Sequence, residues 1–433
     1  MEQFLKQQAK RAIASLTDYR DVWRNVTWLS GVSLAVKPFW FAFITVACVR
    51  VLGKEGYGML ETALSLTAMT FSVTGFGVGS YTVREVADDH SRSAQFFTNF
   101  AALRLGLTVV ALGAAVLTAY VLGYTPVLFA TVLAACGYQA AHSFMQYARK
   151  YFRAFEVLKY EAVSVAVEKG LVIAGGSVTL LATQAPHWTL VGMTTGMVAV
   201  AGGTVLWVVR HLAPVRRDLL DASFIKHSLW KVAPFGLAGL FGVLFFRIDT
   251  VMVQALLGDA AAGQYGLAFR IVAALNMLPL IVARAAAFPR LSSLYGQGEI
   301  ADFRRLVRFS AWGLTGASLF ITVGITLTAP FIIDLMTSDP GYGPAKSALR
   351  ILCWVFALTC VRNMLYVALL SMNEQRFVAG ILGGAVLFNV GLNAVLIPTV
   401  GILGAVAATI ASEATLLGVY AVRYRQRVNA VGG

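Results

Sequence analysis

The chain has 433 residues, of which 58% are hydrophobic and only 13% charged, and its 35 Lys and Arg against 21 Asp and Glu give a net charge of +14. So few charges cannot coat a soluble protein of this length, and the class that fits is a polytopic, all-α integral membrane protein. The surplus of positive charge then reads as membrane topology plus attraction to anionic headgroups, and no nucleic-acid partner is required.

From the N-terminus, Met1 to Arg24 sets Phe4, Leu5, Ala9, Ala12, Ile13 and Leu16 against Lys6, Lys10, Arg11 and Arg20. This pattern predicts an amphipathic helix lying on the cytoplasmic leaflet, with a disordered tail as the alternative. No basic segment, apolar core and cleavage site open the chain, so the first spanning helix is expected to direct insertion. A window of about 20 apolar residues then marks twelve spans. The first six are Asn25 to Val49, Met59 to Ser80, Asn99 to Leu122, Thr125 to Ala148, Tyr160 to Ala182 and Trp188 to Val209. The second six are Val232 to Leu256, Tyr265 to Phe288, Val307 to Ala329, Lys346 to Leu370, Phe377 to Ile397 and Thr399 to Val422. The expected organisation is an N-lobe over residues 25–209, a basic cytoplasmic linker over 210–231, a C-lobe over 232–422 and a cytoplasmic tail over 423–433.

Loop charge orients this bundle. With the N-terminus inside, 24 Lys and Arg fall in cytoplasmic segments and only Arg50, Lys54 and Lys346 on the opposite side. Both termini are therefore expected in the cytoplasm. Cys48, Cys136, Cys353 and Cys360 sit in apolar runs without a CxxC or His-linked spacing and read as small core residues, so neither metal nor cofactor is expected.

Eight basic side chains fall inside the spans themselves: Lys37, Arg104, Lys169, Arg247, Arg270, Arg284, Arg350 and Arg362. A charge at the bilayer centre costs roughly 2.5–3.5 kcal/mol even on insertion scales, so each calls for a partner, a wet cavity or an anionic cargo. Lys37 precedes Pro38, and either lines a cavity or bonds carbonyls freed at the kink. Arg270 and Arg284 are fourteen residues apart on one helix, within roughly 40° of one face and about 21 Å along the axis, a ladder of cations unless Arg284 snorkels. Arg247 and Asp249 point apart, so Asp249 either neutralises a neighbouring helix's Arg or couples an ion. Glu161 and Glu168 share a face, with Lys169 beside Glu168 as an internal neutralising pair. Glu168, Glu413 and Asp249 are the candidates for coupling H+ or Na+. Arg104 and Arg350 fall near span ends and are expected to snorkel, whereas Arg362 is deeper. Gly75-Phe76-Gly77-Val78-Gly79 lacks the strand and Lys of a nucleotide loop and is read as a helix-packing surface.

The chain also repeats. Leu52-Gly53-Lys54-Glu55-Gly56-Tyr57-Gly58 with Ala63 matches Leu257-Gly258-Asp259-Ala260-Ala261-Ala262-Gly263 with Ala268 at a constant offset of 205. A weaker echo pairs Arg153-Ala154-Phe155-Glu156 with Ser371-Met372-Asn373-Glu374. Six helices per block is an even number, so the copies run in the same direction about a pseudo-twofold axis along the membrane normal, with cargo expected between them.

Three elements carry a family resemblance. Arg50-Val51-Leu52-Gly53-Lys54-Glu55-Gly56-Tyr57-Gly58 resembles the element after the first helix of Wzx-type polysaccharide flippases of the MOP superfamily. The run from Asp249-Thr250-Val251-Met252 through Gly258 to Gly263-Gln264-Tyr265 and Ala268 is similar to its second-half counterpart. Asn389, Asn393, Pro398, Gly401, Gly404, Ala405, Ala408 and Thr409 resemble the signature of the last two helices. The resemblance implies a MATE-like fold that carries an undecaprenyl-diphosphate-linked oligosaccharide from the inner to the outer leaflet of the cytoplasmic membrane by alternating access. Membrane lipids and a glycan polymerase are the implied partners. Lys37, Arg247, Arg270, Arg284 and Arg362 are then the candidate substrate-binding residues, because arginine suits phosphate oxygens.

A multidrug exporter of the same superfamily is the alternative, and an organic-cation cargo favours acidic linings, whereas eight basic residues here face the five acids Glu61, Glu161, Glu168, Asp249 and Glu413. A membrane-embedded glycosyltransferase would need carboxylates on sizeable loops. The longest outer loop expected, Pro330 to Ala345, offers only Asp334 and Asp339, so no enzyme activity is expected.

Overall fold

A backbone in hydrocarbon must bond to itself, so twenty-residue apolar runs become helices. In a computed structural model of the chain, residues 31–32, 35–282, 287–337 and 339–432 are described. The amphipathic stretch Met1 to Arg24 and the candidate Arg284 lie outside them. Among the described residues, ten helices are long and apolar enough to cross a membrane. The first, Ala35–Thr74, breaks at Gly53, where φ is 65° and ψ −176°, into two arms, α1 (35–52) and α2 (54–71). A side chain at such a backbone angle would be strained, which is why glycine stands there. Pro38 enters α1 one turn before a π-helical segment, Ala42–Ala47, the local widening expected where a backbone donor is missing.

The remaining helices are α3 (Val78–Asp88), α4 (Ser93–Val121), α5 (Pro126–Ala154), α6 (Leu158–Thr183), α7 (Pro186–His211), α8 (Ala222–Leu257) and α9 (Asp259–Val282). They are followed by α10 (Phe288–Gly296), α11 (Ile300–Thr337), α12 (Gly343–Ser371), α13 (Gln375–Val400) and α14 (Ile402–Gly432). α3 and α10 are short and follow the second helix of each half; without them, twelve long helices remain among the described residues.

The repeat is real in three dimensions. Gly258, with φ 88° and ψ 178°, joins α8 to α9 as Gly53 joins α1 to α2. Gly58 and Gly263 then meet across the pseudo-twofold axis. A Cβ on Gly58 would lie 1.8 Å from the Asp259 carbonyl oxygen, and one on Gly263 would lie 2.0 Å from that of Lys54. Each contact is the other displaced by 205 residues. In both lobes the fourth helix packs on the sixth and the fifth on the sixth, and α2 against α9 joins the lobes. The weaker echo is one residue out of register: the positive-φ turn residues that correspond are Glu156 (φ 57°) and Asn373 (φ 60°).

Helix ends extend beyond the apolar windows because their last turns carry charge into the headgroup region. α11 continues through Pro330 to Thr337, and Pro340–Tyr342 is a short 3-10 turn, so the long outer loop expected from Pro330 to Ala345 is instead mostly helix. α8 begins at Ala222, within the basic linker, capped by the Asp221 carboxylate on the Ser223 and Phe224 amides. The lipid face is apolar and exposed, as at Phe320 (83%) and Leu387 (75%), while the core runs through Tyr57, Tyr265, Leu352 and their neighbours.

Candidate functional site

All five acids expected in the interior are buried, and their partners define three clusters. The first joins the lobes. Glu61 on α2 forms an ion pair with an Arg270 Nη on α9, and Tyr57 and Arg247 lie within electrostatic reach of that pair. The pair fits because residue 266 is glycine: a Cβ there would sit 3.0 Å from Glu61 Cγ. Arg247 on α8 has its guanidinium 5.7 Å from the Phe246 ring and no carboxylate at ion-pair distance among the described residues. Lys37 on α1 is half-buried and likewise has no acidic partner among the described residues.

The second cluster lies inside the N-lobe. Glu168 on α6 accepts from Arg149 Nη1 of α5 at 2.8 Å and from Lys169 Nζ at 2.7 Å. The Lys169 ammonium also stands 4.3 Å from the Trp40 ring centroid, a cation–π contact with α1. Glu161 is held by Arg153, whose Nε and Nη2 both reach its oxygens at 2.6–3.0 Å. The Glu168–Lys169 pair is as expected from the sequence. Arg149 is a correction: counted among loop residues, it is 3% exposed, because α5 runs on to Ala154 and carries it inside.

The third cluster lies inside the C-lobe. Asp249 on α8 accepts from Tyr265 Oη at 2.9 Å, Thr409 Oγ1 at 2.6 Å and Asn393 Nδ2 at 2.6 Å, and Asn393 also donates to Asn389 Oδ1 at 2.9 Å. Every partner is neutral, so Asp249 does not serve to neutralise a neighbouring arginine. Glu413 on α14 instead pairs with Arg362 of α12 at 2.5 Å, which turns Arg362 toward an intralobe partner.

Arg104 corrects the snorkelling expectation. It is 6% exposed, and its Nη1 donates to the carbonyl of Ser143 on α5 at 3.1 Å and to that residue's hydroxyl. Arg350 is exposed. Sequence reasoning also missed Glu374, buried in the turn before α13 and gripped by Arg423 and Arg427 of α14. The i, i+4 spacing of those two arginines was the available signal. Asn389, Asn393 and Thr409 were visible as motif residues, but only folding brings them to Asp249.

The polysaccharide biosynthesis protein family matches residues 22–295, and the MatE family matches residues 234–395. A probable flippase, AglR, from Haloferax volcanii is 30% identical over 217 residues, covering 47% of this chain and 44% of that protein, so the matched stretch spans less than half of the relative's length. Among solved structures, an inward-facing multidrug resistance MATE family transporter of the MOP superfamily superposes with a TM-score of 0.74 at 16% identity, covering 90% of this chain and 94% of that one. A MOP superfamily transporter from Pyrococcus furiosus, described as having a binding pocket of reverse polarity, gives 0.64 at 15% identity over 95% and 96%. With more than half of its length inside the first match and with this fold, the chain belongs to the polysaccharide biosynthesis protein family, as a multi-pass membrane protein built on the MOP-superfamily transporter fold.

Proposed function

We infer that the protein flips an undecaprenyl-diphosphate-linked oligosaccharide from the inner to the outer leaflet of the cytoplasmic membrane, with both termini in the cytoplasm. The observation that carries this is the cationic face between the lobes. Arg270 and Arg247 face one carboxylate, Glu61, so one positive charge at that place is unbalanced. A diphosphate supplies the missing negative charge, and guanidinium forks match its oxygens. Lys37, half-buried on α1, adds to the same sign. Between α2, α4 and α8 an apolar groove of about 430 Å³, lined by Leu66, Met69, Leu244, Ile248 and Met252 among others, offers a polyprenyl chain a dry path. The lobes are packed together at Gly58 and Gly263, so access alternates when that contact opens.

Asp249 is the coupling-ion candidate this arrangement favours over Glu168 and Glu413. Glu168 and Glu413 have basic partners, whereas Asp249 has only amide and hydroxyl neighbours that can surround H+ or Na+. The MatE match raises the alternative of an organic-cation exporter. Among the described residues six acids are buried and five of them are already neutralised, which leaves such a cargo little to bind.

The test is glycan export in a complementation assay. Arg247→Ala should abolish export while the protein still reaches the membrane, and Arg247→Lys should restore part of it, since charge returns without the fork. Full export by Arg247→Ala would overturn the electrostatic reading. Tight binding of an organic cation by purified protein, with none of the lipid diphosphate, would promote the exporter. Orientation is checked separately by cysteines placed at Gly341 and Arg217, of which an impermeant reagent should label only the first in intact cells.

A further inference from the structure

The second helix does not run straight into its loop. After α2 the chain passes through a 3-10 turn, Ser72–Thr74, and reverses at Gly77, where φ is 72°, before α3 starts. Gly77 is pressed against α8, 3.1 Å from Val232 O and Gly236 N for an added Cβ, as a packing glycine should be. Gly75 and Gly79 do something else. With Gly77, Ser80, Arg104, Gln146, Tyr147 and Lys150 they line a cavity of about 270 Å³ with two cations on its wall.

Four features of this cavity point to an anion. It receives the N-terminus of α3, an eleven-residue helix with no side-chain cap; Val78 N donates to the Gly75 carbonyl at 3.0 Å, and the amides that follow it have no intrahelical acceptor. Arg104 on its wall is more than nine-tenths buried, and its Nε is without a hydrogen-bond partner. Its visible partners are neutral: Ser143 and the Tyr147 ring, 5.0 Å from its guanidinium carbon. The Lys150 side chain lies across Gly79, 2.9 Å from where a Cβ would be, with Arg153, Glu161 and Arg104 within electrostatic reach of it, and the Glu161 carboxylate is already held by Arg153. Among the described residues neither makes an ion pair. Two cations in one low-dielectric pocket repel, and a buried charge without a counter-charge is costly. The volume falls just below the roughly 300–1,000 Å³ of pockets that engulf organic ligands, so it suits a small headgroup rather than an oligosaccharide.

We propose that this N-lobe cavity, walled by Arg104, Lys150 and the Gly75–Gly79 segment, is a phosphate or diphosphate site separate from the cationic face between the lobes. Its occupant is the phosphate of a lipid headgroup or a free phosphate anion, and only the lipid case rests on the flippase reading. Being next to the α3–α8 contact between Gly77 and Val232, an anion held there would touch the segment that meets the C-lobe.

The experiment uses the full chain in nanodiscs of uncharged lipid, titrated with inorganic pyrophosphate by calorimetry, with farnesyl diphosphate as competitor. Wild type should bind pyrophosphate saturably, and less tightly as salt rises. Lys150→Gln should weaken binding about tenfold, the loss of one charge-assisted contact, and Arg104→Gln with Lys150→Gln should remove it. Lys150 is partly exposed, so its variant is expected to fold even where the Arg104 variant fails. The same proteins are also titrated with Arg247→Ala added, which removes the contribution of the cations between the lobes, and the effect of Lys150→Gln should persist there. Competition by farnesyl diphosphate assigns the site to a lipid headgroup, and its absence assigns it to the free anion; either keeps the site. No pyrophosphate binding by wild type, or binding unchanged by Lys150→Gln in both backgrounds, would overturn it. Neither result decides the glycan-export test, which reads Arg247→Ala alone, so the two readings fail independently.

Discussion

The two lobes share a backbone plan and differ in where charge is left unmatched. In the N-lobe Glu168 has two basic partners and Glu161 is clamped by Arg153, while Arg104 has no carboxylate among the described residues. In the C-lobe Arg362 is matched by Glu413, while Asp249 has only neutral donors. Away from the face between the lobes, one half therefore retains a buried cation and the other a buried acid. A duplicated helix plan fixes crossing geometry through small residues at shared places. It leaves the polar interior of each copy free to diverge: an unmatched cation stays inside the N-lobe and an unmatched acid inside the C-lobe, while the C-lobe's Arg247 and Arg270 are turned to the face between the lobes.

The largest effect tests what the lobes share. Gly58→Val and Gly263→Val should each cost about 3 kcal/mol or more, because a side chain there meets backbone carbonyls that cannot move aside as side chains do. Export should be lost in both, and thermal unfolding of the purified protein should fall. Gly113→Ala, with nothing within 4 Å of the added carbon, is the control and should behave as wild type. Unequal damage from the two valine variants would break the claim of equivalence.

Next is the pair that joins the lobes. Glu61→Gln or Arg270→Gln leaves one buried charge alone, a loss of roughly 3–5 kcal/mol, whereas the double variant should recover most of the stability. Export should not recover, since Arg270 is also assigned to the cargo. A double variant that exports normally would make the pair purely structural.

Asp249→Asn comes third. The new amide faces donors from Tyr265, Thr409 and Asn393, so about 1–3 kcal/mol should be lost in stability. The informative result is export that no longer responds to a change of proton or sodium gradient. Retained gradient dependence would remove Asp249 from coupling and return attention to Glu413.

How much of this was legible in the sequence depends on distance along the chain. The twelve spans and the 205-residue repeat could be read because hydropathy and backbone turns are local signals, and Gly53 and Gly258 carry theirs in residue type. Glu168–Lys169 was legible because the residues are adjacent. Arg149–Glu168 and Glu61–Arg270 were not, since whether side chains on two helices meet depends on helix rotation, which periodicity in an all-apolar segment does not fix. Arg104 was misjudged for the same reason: depth along a span says nothing of which side faces protein. The glycines at 75, 77 and 79 were read as one packing surface, yet Gly77 meets the α8 backbone, Gly79 lies under the Lys150 side chain of α5, and all three line the cavity.

The smallest effect sharpens the comparison most finely. Lys169 and Arg149 hold opposite oxygens of Glu168, but Lys169 is 22% exposed and also rests on Trp40, whereas Arg149 is 4% exposed and bonded to Ser164. Lys169→Gln removes the wetter partner and leaves Glu168 neutralised, so the loss should be about 1 kcal/mol or less. Arg149→Gln removes the dry one and leaves Ser164 Oγ with Thr204 Oγ1 as its partner, so it should cost more, toward the roughly 3 kcal/mol of a broken buried pair. Thermal unfolding of the two variants side by side gives the ranking. If Lys169→Gln is the worse of the two, Glu168 depends on a partner at the cavity edge and the N-lobe interior is not redundantly neutralised. The contrast with Asp249, which has no basic partner to lose, would then be one of degree.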